Sequence, residues 1–244
     1  MKEARSLIVS TNFQSRVRNI LQCALIEALW NIYDLHRVLY EGICIIENRE
    51  REILMSDAHA HLHTLQILTP EEAPEGSRSI LDSTKVQMGM VPNMYAEMAH
   101  SPGLFSTYRS GYDAFRSGSG FDKTEQEIVF LAISRFNECT YCVAVHSIVA
   151  DRNKVPTEVT DAIRTGRAIP DAKLQTLNAF TIAMVSTRGR PSVQDLQEFV
   201  SAGYEEKFVL EIILAIAVKT ISNYTNHLFD TPLDSNFSHR QWTS

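Results

Sequence analysis

"DKTEQEIVFLAISRFNECTYCVAVHSIVADR", residues 122–152, is the stretch on which the reading of the fold turns. Ile128, Val129, Leu131, Ala132, Ile133 and Phe136 recur at helical spacing. Thr124, with Glu127 three residues on, has the form of a capping box and predicts a helix start there. Asn137 reads as the cap of a second helix, which places Cys139 and Cys142 in its first turns.

That position matters chemically. The N–H groups at a helix N-terminus favour negative charge, and a cysteine there can ionise well below the free-thiol range. With about 100° and 1.5 Å per residue, Cys142 and His146 stand roughly 40° and 6 Å apart, whereas Cys139 and His146 stand about 10.5 Å apart along the axis. His146 therefore addresses Cys142 more easily, leaving Cys139 as a neighbour for disulfide closure with Cys142. An Asn137 cap would instead set Cys139 deeper in the positive end of the helix, so spacing alone leaves the attacking thiol open. If the two helices fold back on each other near Asn137, Glu127 comes opposite residues 146–149 and can complete a Glu-His-Cys chain.

A zinc site is the rival reading of Cys139, Cys142 and His146, but structural zinc takes a fourth ligand and usually a second cysteine pair. Cys23 and Cys44 are single and distant, and fit ordinary apolar positions better. The reading is of a site with no metal and no cofactor.

Outward from this stretch, residues from Ser79 on are helical in pattern, punctuated by Pro92, Pro102, "SGSG" at 117–120, Pro156, Pro170 and "RGRPS" at 188–192. No segment alternates with period two for long, so the fold class is all-α. The segment from Glu205 to Leu228 carries apolar residues around most of its circumference, which predicts a helix buried on every side, at the centre of the fold or in a subunit interface.

Residues 1–54 mix seven basic with seven acidic residues and hold a long amphipathic helical stretch; they read as an extension, or as an upstream misassignment of the start. His59, His61 and His63 alternate in a polar segment running into "LTPEEAPEGSRS", which reads as linker rather than metal tract. The net charge of −6 argues against a phosphate-binding nucleic-acid surface. Few cysteines and no signal-like start point to the cytoplasm, and the apolar run Ile212–Val218 is shorter than a membrane span.

The spacing Glu127, Cys139, Cys142, His146 resembles the AhpD-like branch of the carboxymuconolactone decarboxylase superfamily, and "GMVPNMYAEMAHSPGLFSTY" and "NYTNHLFDTPLD" resemble its peroxidase-related subgroup. The likeness spans roughly residues 65–235, leaving 1–64 as extension and linker and 236–244 as a C-terminal tail. It implies an AhpD-like helical domain with the CxxC at the start of a helix. By the same likeness, Cys142 is the peroxidatic thiol, Cys139 resolves it as a disulfide, and Glu127 with His146 is the proton relay. The implied activity is reduction of a hydroperoxide at the expense of a dithiol donor of protein or lipoyl type, in a homo-oligomer, trimer or hexamer. Tyr141 departs from the pattern, standing where well-studied members carry a second histidine, and is a possible relay residue. Asn226 and His227 fall in a family-like stretch with no role assigned. The rivals are a decarboxylase-like lyase, whose chemistry does not need the CxxC, and a non-enzymatic thiol sensor.

Overall fold

The computed structural model describes residues 60–62 and 64–243. The amphipathic stretch of residues 1–54, with Cys23, Cys44, His59 and His63, lies outside them. Every regular element among the described residues is helical: α1 (Glu75–Met88), α2 (Asn93–Met98), α3 (Pro102–Gly118), α4 (Lys123–Phe136), α5 (Thr140–Arg152), α6 (Thr157–Thr165), α7 (Ala172–Ser186), α8 (Val193–Ser201) and α9 (Lys207–Phe229), followed by a 3₁₀ turn, Ser235–Arg240.

The helix at the centre is α4. All ten residues from Glu125 to Ser134 are buried, because α5, α6, α7 and α9 pack around it. Its start lies earlier than Thr124: the Asp122 carboxylate accepts from Glu125 N–H at 2.8 Å, and Glu125 Oε2 accepts from Asp122 N–H at 3.1 Å. Such a cap contributes about 1 kcal/mol, and using Asp122 and Glu125 for it leaves Glu127 facing the interior.

Asn137 is also reassigned. It ends α4, and Cys139 is the N-cap of α5. Between them Glu138 takes a left-handed backbone, φ +56°, a conformation costing a non-glycine residue about 1 kcal/mol. Glu138 N–H donates to Arg135 C=O and Cys139 N–H to Ser134 C=O, both at 2.9 Å, so the corner is held by α4's own last carbonyls. This sharp reversal lays α5 back along α4.

The helix expected to be buried on every side, at the centre of the fold or in a subunit interface, is α9, and within the single chain it is buried on one side. Leu210, Ile213, Tyr224 and Leu228 are exposed, while Ile212, Ala215, Val218, Lys219, Ser222, Asn223 and Asn226 face inward. It extends well beyond Ile212–Val218 and is long and apolar enough to cross a membrane, but its polar residues point into the protein, as a core helix serving a site requires. Gly111 lets α3 approach it closely, since a Cβ there would stand 2.9 Å from Val218 Cγ2.

After α9 the chain reverses at Asp230 and crosses back. Thr231 donates to Glu97 at 2.5 Å, Asp234 accepts from Asn93 N–H at 3.1 Å, and Phe237 is buried. Residues 236–243 pack onto the helices: Arg240 pairs with Asp151 at 3.2 Å, and Trp242 donates to Arg164 C=O at 2.9 Å.

Candidate active site

The α4–α5 reversal brings Glu127 and His146 together with both side chains buried. Glu127 Oε2 lies 3.1 Å from His146 Nδ1. The other oxygen, Oε1, accepts from Arg116 at 2.6 Å and Asn153 at 3.2 Å. Burial opposes ionisation of Glu127, but the His146 hydrogen bond and the Arg116 charge outweigh it and hold the carboxyl below its ordinary range. An ionised carboxylate only accepts, so His146 Nδ1 carries the proton and Nε2 is left with its lone pair. Burial, then the charge of Lys219, lower His146 to about 4 against the pull of Glu127, so the ring is neutral at pH 7. It packs on Phe130 at 4.9 Å between centroids, and the Arg116 guanidinium lies 4.7 Å from the same Phe130 ring.

Cys139 and Cys142 are both buried free thiols. Cys139 stands at the N-cap and Cys142 in the first turn of α5. Asn226 Nδ2 lies 3.1 Å from Cys142 Sγ and 3.6 Å from Cys139 Sγ, and Ser222 Oγ lies 3.8 Å from Cys142 Sγ. The two sulfurs titrate apart. Burial raises both, but for Cys142 the hydrogen bond from the Cys139 thiol and the Lys219 charge prevail and pull it well below the ordinary thiol range. For Cys139, burial and the neighbouring Cys142 push the thiol up. Both directions favour the negative charge on Cys142 over Cys139.

Cys142, His146 and Lys219 open on a cavity of about 140 Å³, walled by Met94, Tyr95, Tyr108, Tyr112, Tyr141 and Phe237. The Tyr141 hydroxyl donates to Asp234 at 2.6 Å. Burial and that hydrogen bond raise its pKa well above the usual phenol range, so Tyr141 keeps its proton, directed at Asp234, and offers the cavity its ring.

The sequence reading did not find Arg116, Lys219, Ser222 or Asp234, and noted Asn226 without giving it a role. For three of them a partial signal existed: Lys219, Ser222 and Asn226 fall at i, i+3 and i+7, which puts them on one face of the helix. Arg116 and Asp234 carry no such mark.

Residues 102–184, which include all four positions of the Glu-Cys-Cys-His pattern, match the model of the Carboxymuconolactone decarboxylase family. Among solved structures, an AhpD-core, peroxidase-related protein from Ralstonia eutropha JMP134 shares the fold at 21% identity and TM-score 0.63, covering 72% of this chain and 96% of its own. A peroxidase-related protein from Silicibacter sp. TM1040 follows at 18% identity and TM-score 0.61, covering 74% and 95%. The debrominase Bmp8 in its apo form matches at 18% identity and TM-score 0.62, covering 73% and 96%; another structure of that debrominase holds 2,3,4-tribromopyrrole. No curated protein matches. The family match and the all-α fold together support the AhpD/carboxymuconolactone decarboxylase superfamily for this chain.

Proposed function

We propose that the protein is a thiol-dependent peroxidase that reduces hydroperoxides through a Cys139/Cys142 dithiol–disulfide cycle. The observation that carries this reading is geometric: two free thiols at the start of α5, with Cys142 lining a cavity shared with Lys219 and with a His146 held by Glu127; the direction of the two thiol shifts agrees with it.

The Cys142 thiolate attacks the terminal peroxide oxygen; an S–O bond forms, the O–O bond breaks, and the alkoxide leaves as alcohol with a proton from Lys219. Cys142 is then a sulfenic acid. The Cys139 sulfur attacks it, the S–S bond forms, and the departing hydroxide takes the Cys139 proton as water. An external dithiol, of protein or lipoyl type, returns two electrons and two protons. His146, with Nε2 unprotonated and Nδ1 fixed by Glu127, is the base that moves a proton when the dithiol is restored. Arg116 and Asn153 keep Glu127 in place and ionised.

The aromatic cavity and the debrominase among the similar structures favour one second reading, reductive dehalogenation of a small ring. There an S–X bond would form from Cys142 to the halogen as the C–X bond breaks, the ring carbon would keep the bonding pair and take a proton, and Cys139 would then attack the Cys142 sulfur, releasing halide and its own proton as the disulfide forms.

Both readings are tested in one preparation supplied with a dithiol donor, by following hydroperoxide consumption and bromide release from a brominated pyrrole. The peroxidase reading predicts hydroperoxide turnover by the wild type, loss to background in Cys142→Ser, and a block after one turnover in Cys139→Ser. Unchanged consumption in Cys142→Ser would overturn it, and bromide release without peroxide consumption would replace it with the second reading.

A further inference from the structure

A second cleft, about 440 Å³ in volume, shares no lining residue with the thiol cavity. It lies among α4, α6 and α7, and its lining combines two arginines with an apolar wall. Arg135 enters from the last turn of α4 and Arg167 from the segment after α6. No carboxylate lines the cleft, and among the described residues neither arginine is in a salt bridge.

The placement of Arg135 is built into the backbone. Its guanidinium lies on Gly166, where a Cβ would meet Nη2 at 2.5 Å, and Gly166 itself takes φ +71° to end α6. Arg135 Nε is buried without a partner. Arg167 Nε donates to Thr165 at 2.9 Å, which fixes the near end of its guanidinium. Asn178, 8% exposed, lines the same cleft, with its Oδ1 buried and unpartnered. Buried polar atoms ordinarily have hydrogen-bond partners, and here an unpartnered guanidinium donor, Arg135 Nε, faces a cleft that holds a second arginine and no carboxylate.

We propose that this cleft binds a small amphipathic organic anion, with a carboxylate or phosphate head on Arg135 and Arg167 and an apolar body against Phe136, Ile163 and Ile182. Planar guanidinium groups suit either oxyanion, and the buried Asn178 Oδ1 on the same cleft is left to a donor such as water or a ligand hydroxyl. The site is independent of the thiol chemistry and of the proposed function.

Isothermal titration calorimetry of the full chain with octanoate, octyl phosphate and neutral 1-octanol tests the proposal. One of the two anions should bind at least about tenfold more tightly than octanol, since a charge-assisted hydrogen bond contributes about 1.5–3 kcal/mol; the tighter of the two identifies the head group. Arg135→Gln and Arg167→Gln should each weaken that anion by about tenfold or more while melting near the wild-type temperature. Gly166→Ala, which displaces the Arg135 guanidinium, should weaken it too. Anions that bind no better than octanol, or a titration unchanged in folded Arg135→Gln, would overturn the assignment.

Discussion

A buried thiolate needs a positive neighbour as much as it needs a base to take its proton. His146 is neutral at pH 7 and cannot supply that charge; Lys219, 1% exposed and on the same cavity, can. Lys219→Met should therefore move the pH profile of Cys142 alkylation upward and slow alkylation at pH 7 by about tenfold or more. An unmoved profile in the folded variant would remove Lys219 from the account. The cysteines, His146 and Glu127 were legible because their kinds and spacings are unusual within 20 residues of one another. Lys219 and Asn226 arrive from a helix about 80 residues further on, whose apolar pattern reads as core, and nothing local to them says what they face.

Among the elements, the two helix starts around the site show how a correct pattern can take the wrong register. Asp122/Glu125 and Thr124/Glu127 both satisfy the spacing of a capping box, and the structure uses the first because Glu127 is needed inside for His146 and Arg116. The short helix α2 and the returning C-terminal segment were not legible as a pair, since their contact joins residues 134 positions apart, Glu97 and Thr231. That contact makes a prediction. Burial pushes Glu97 up to about 7, so the folded state holds its proton more tightly than the unfolded chain does. The stability this contributes is full below about pH 4.5 and is lost as the pH rises through 7. His146, lowered to about 4, has the opposite sign: the fold weakens as the pH falls from 6.5 towards 4. Comparing Glu97→Gln with wild type at a fixed pH cancels the histidine. Urea unfolding should find Glu97→Gln more stable than wild type by about 1–3 kcal/mol at pH 8 and nearly equal at pH 5. The same difference at both values would show that Glu97 does not titrate in this window.

For the molecule as a whole, the all-α class followed from the absence of period-two segments, and α4 holds the central position that was one of two expected for the C-terminal helix, the other being a subunit interface. Hydropathy alone did not distinguish the two faces of α9, which keeps polar residues inward around the thiols and leaves Leu210, Ile213, Tyr224 and Leu228 on the outer face of the chain. In α4 the polar residues Glu127 and Ser134 are satisfied inside, by Arg116 and His146 and by Phe130 C=O. The proposed chemistry depends on one assignment, that Cys142 attacks and Cys139 resolves. The most direct measurement is to treat reduced Cys139→Ser and Cys142→Ser with one equivalent of cumene hydroperoxide in the presence of dimedone and to map the adducts by mass spectrometry. Dimedone on Cys142 in the first variant, with Cys139 unlabelled in the second, is the predicted result; label on Cys139 in the second and none on Cys142 in the first would contradict it.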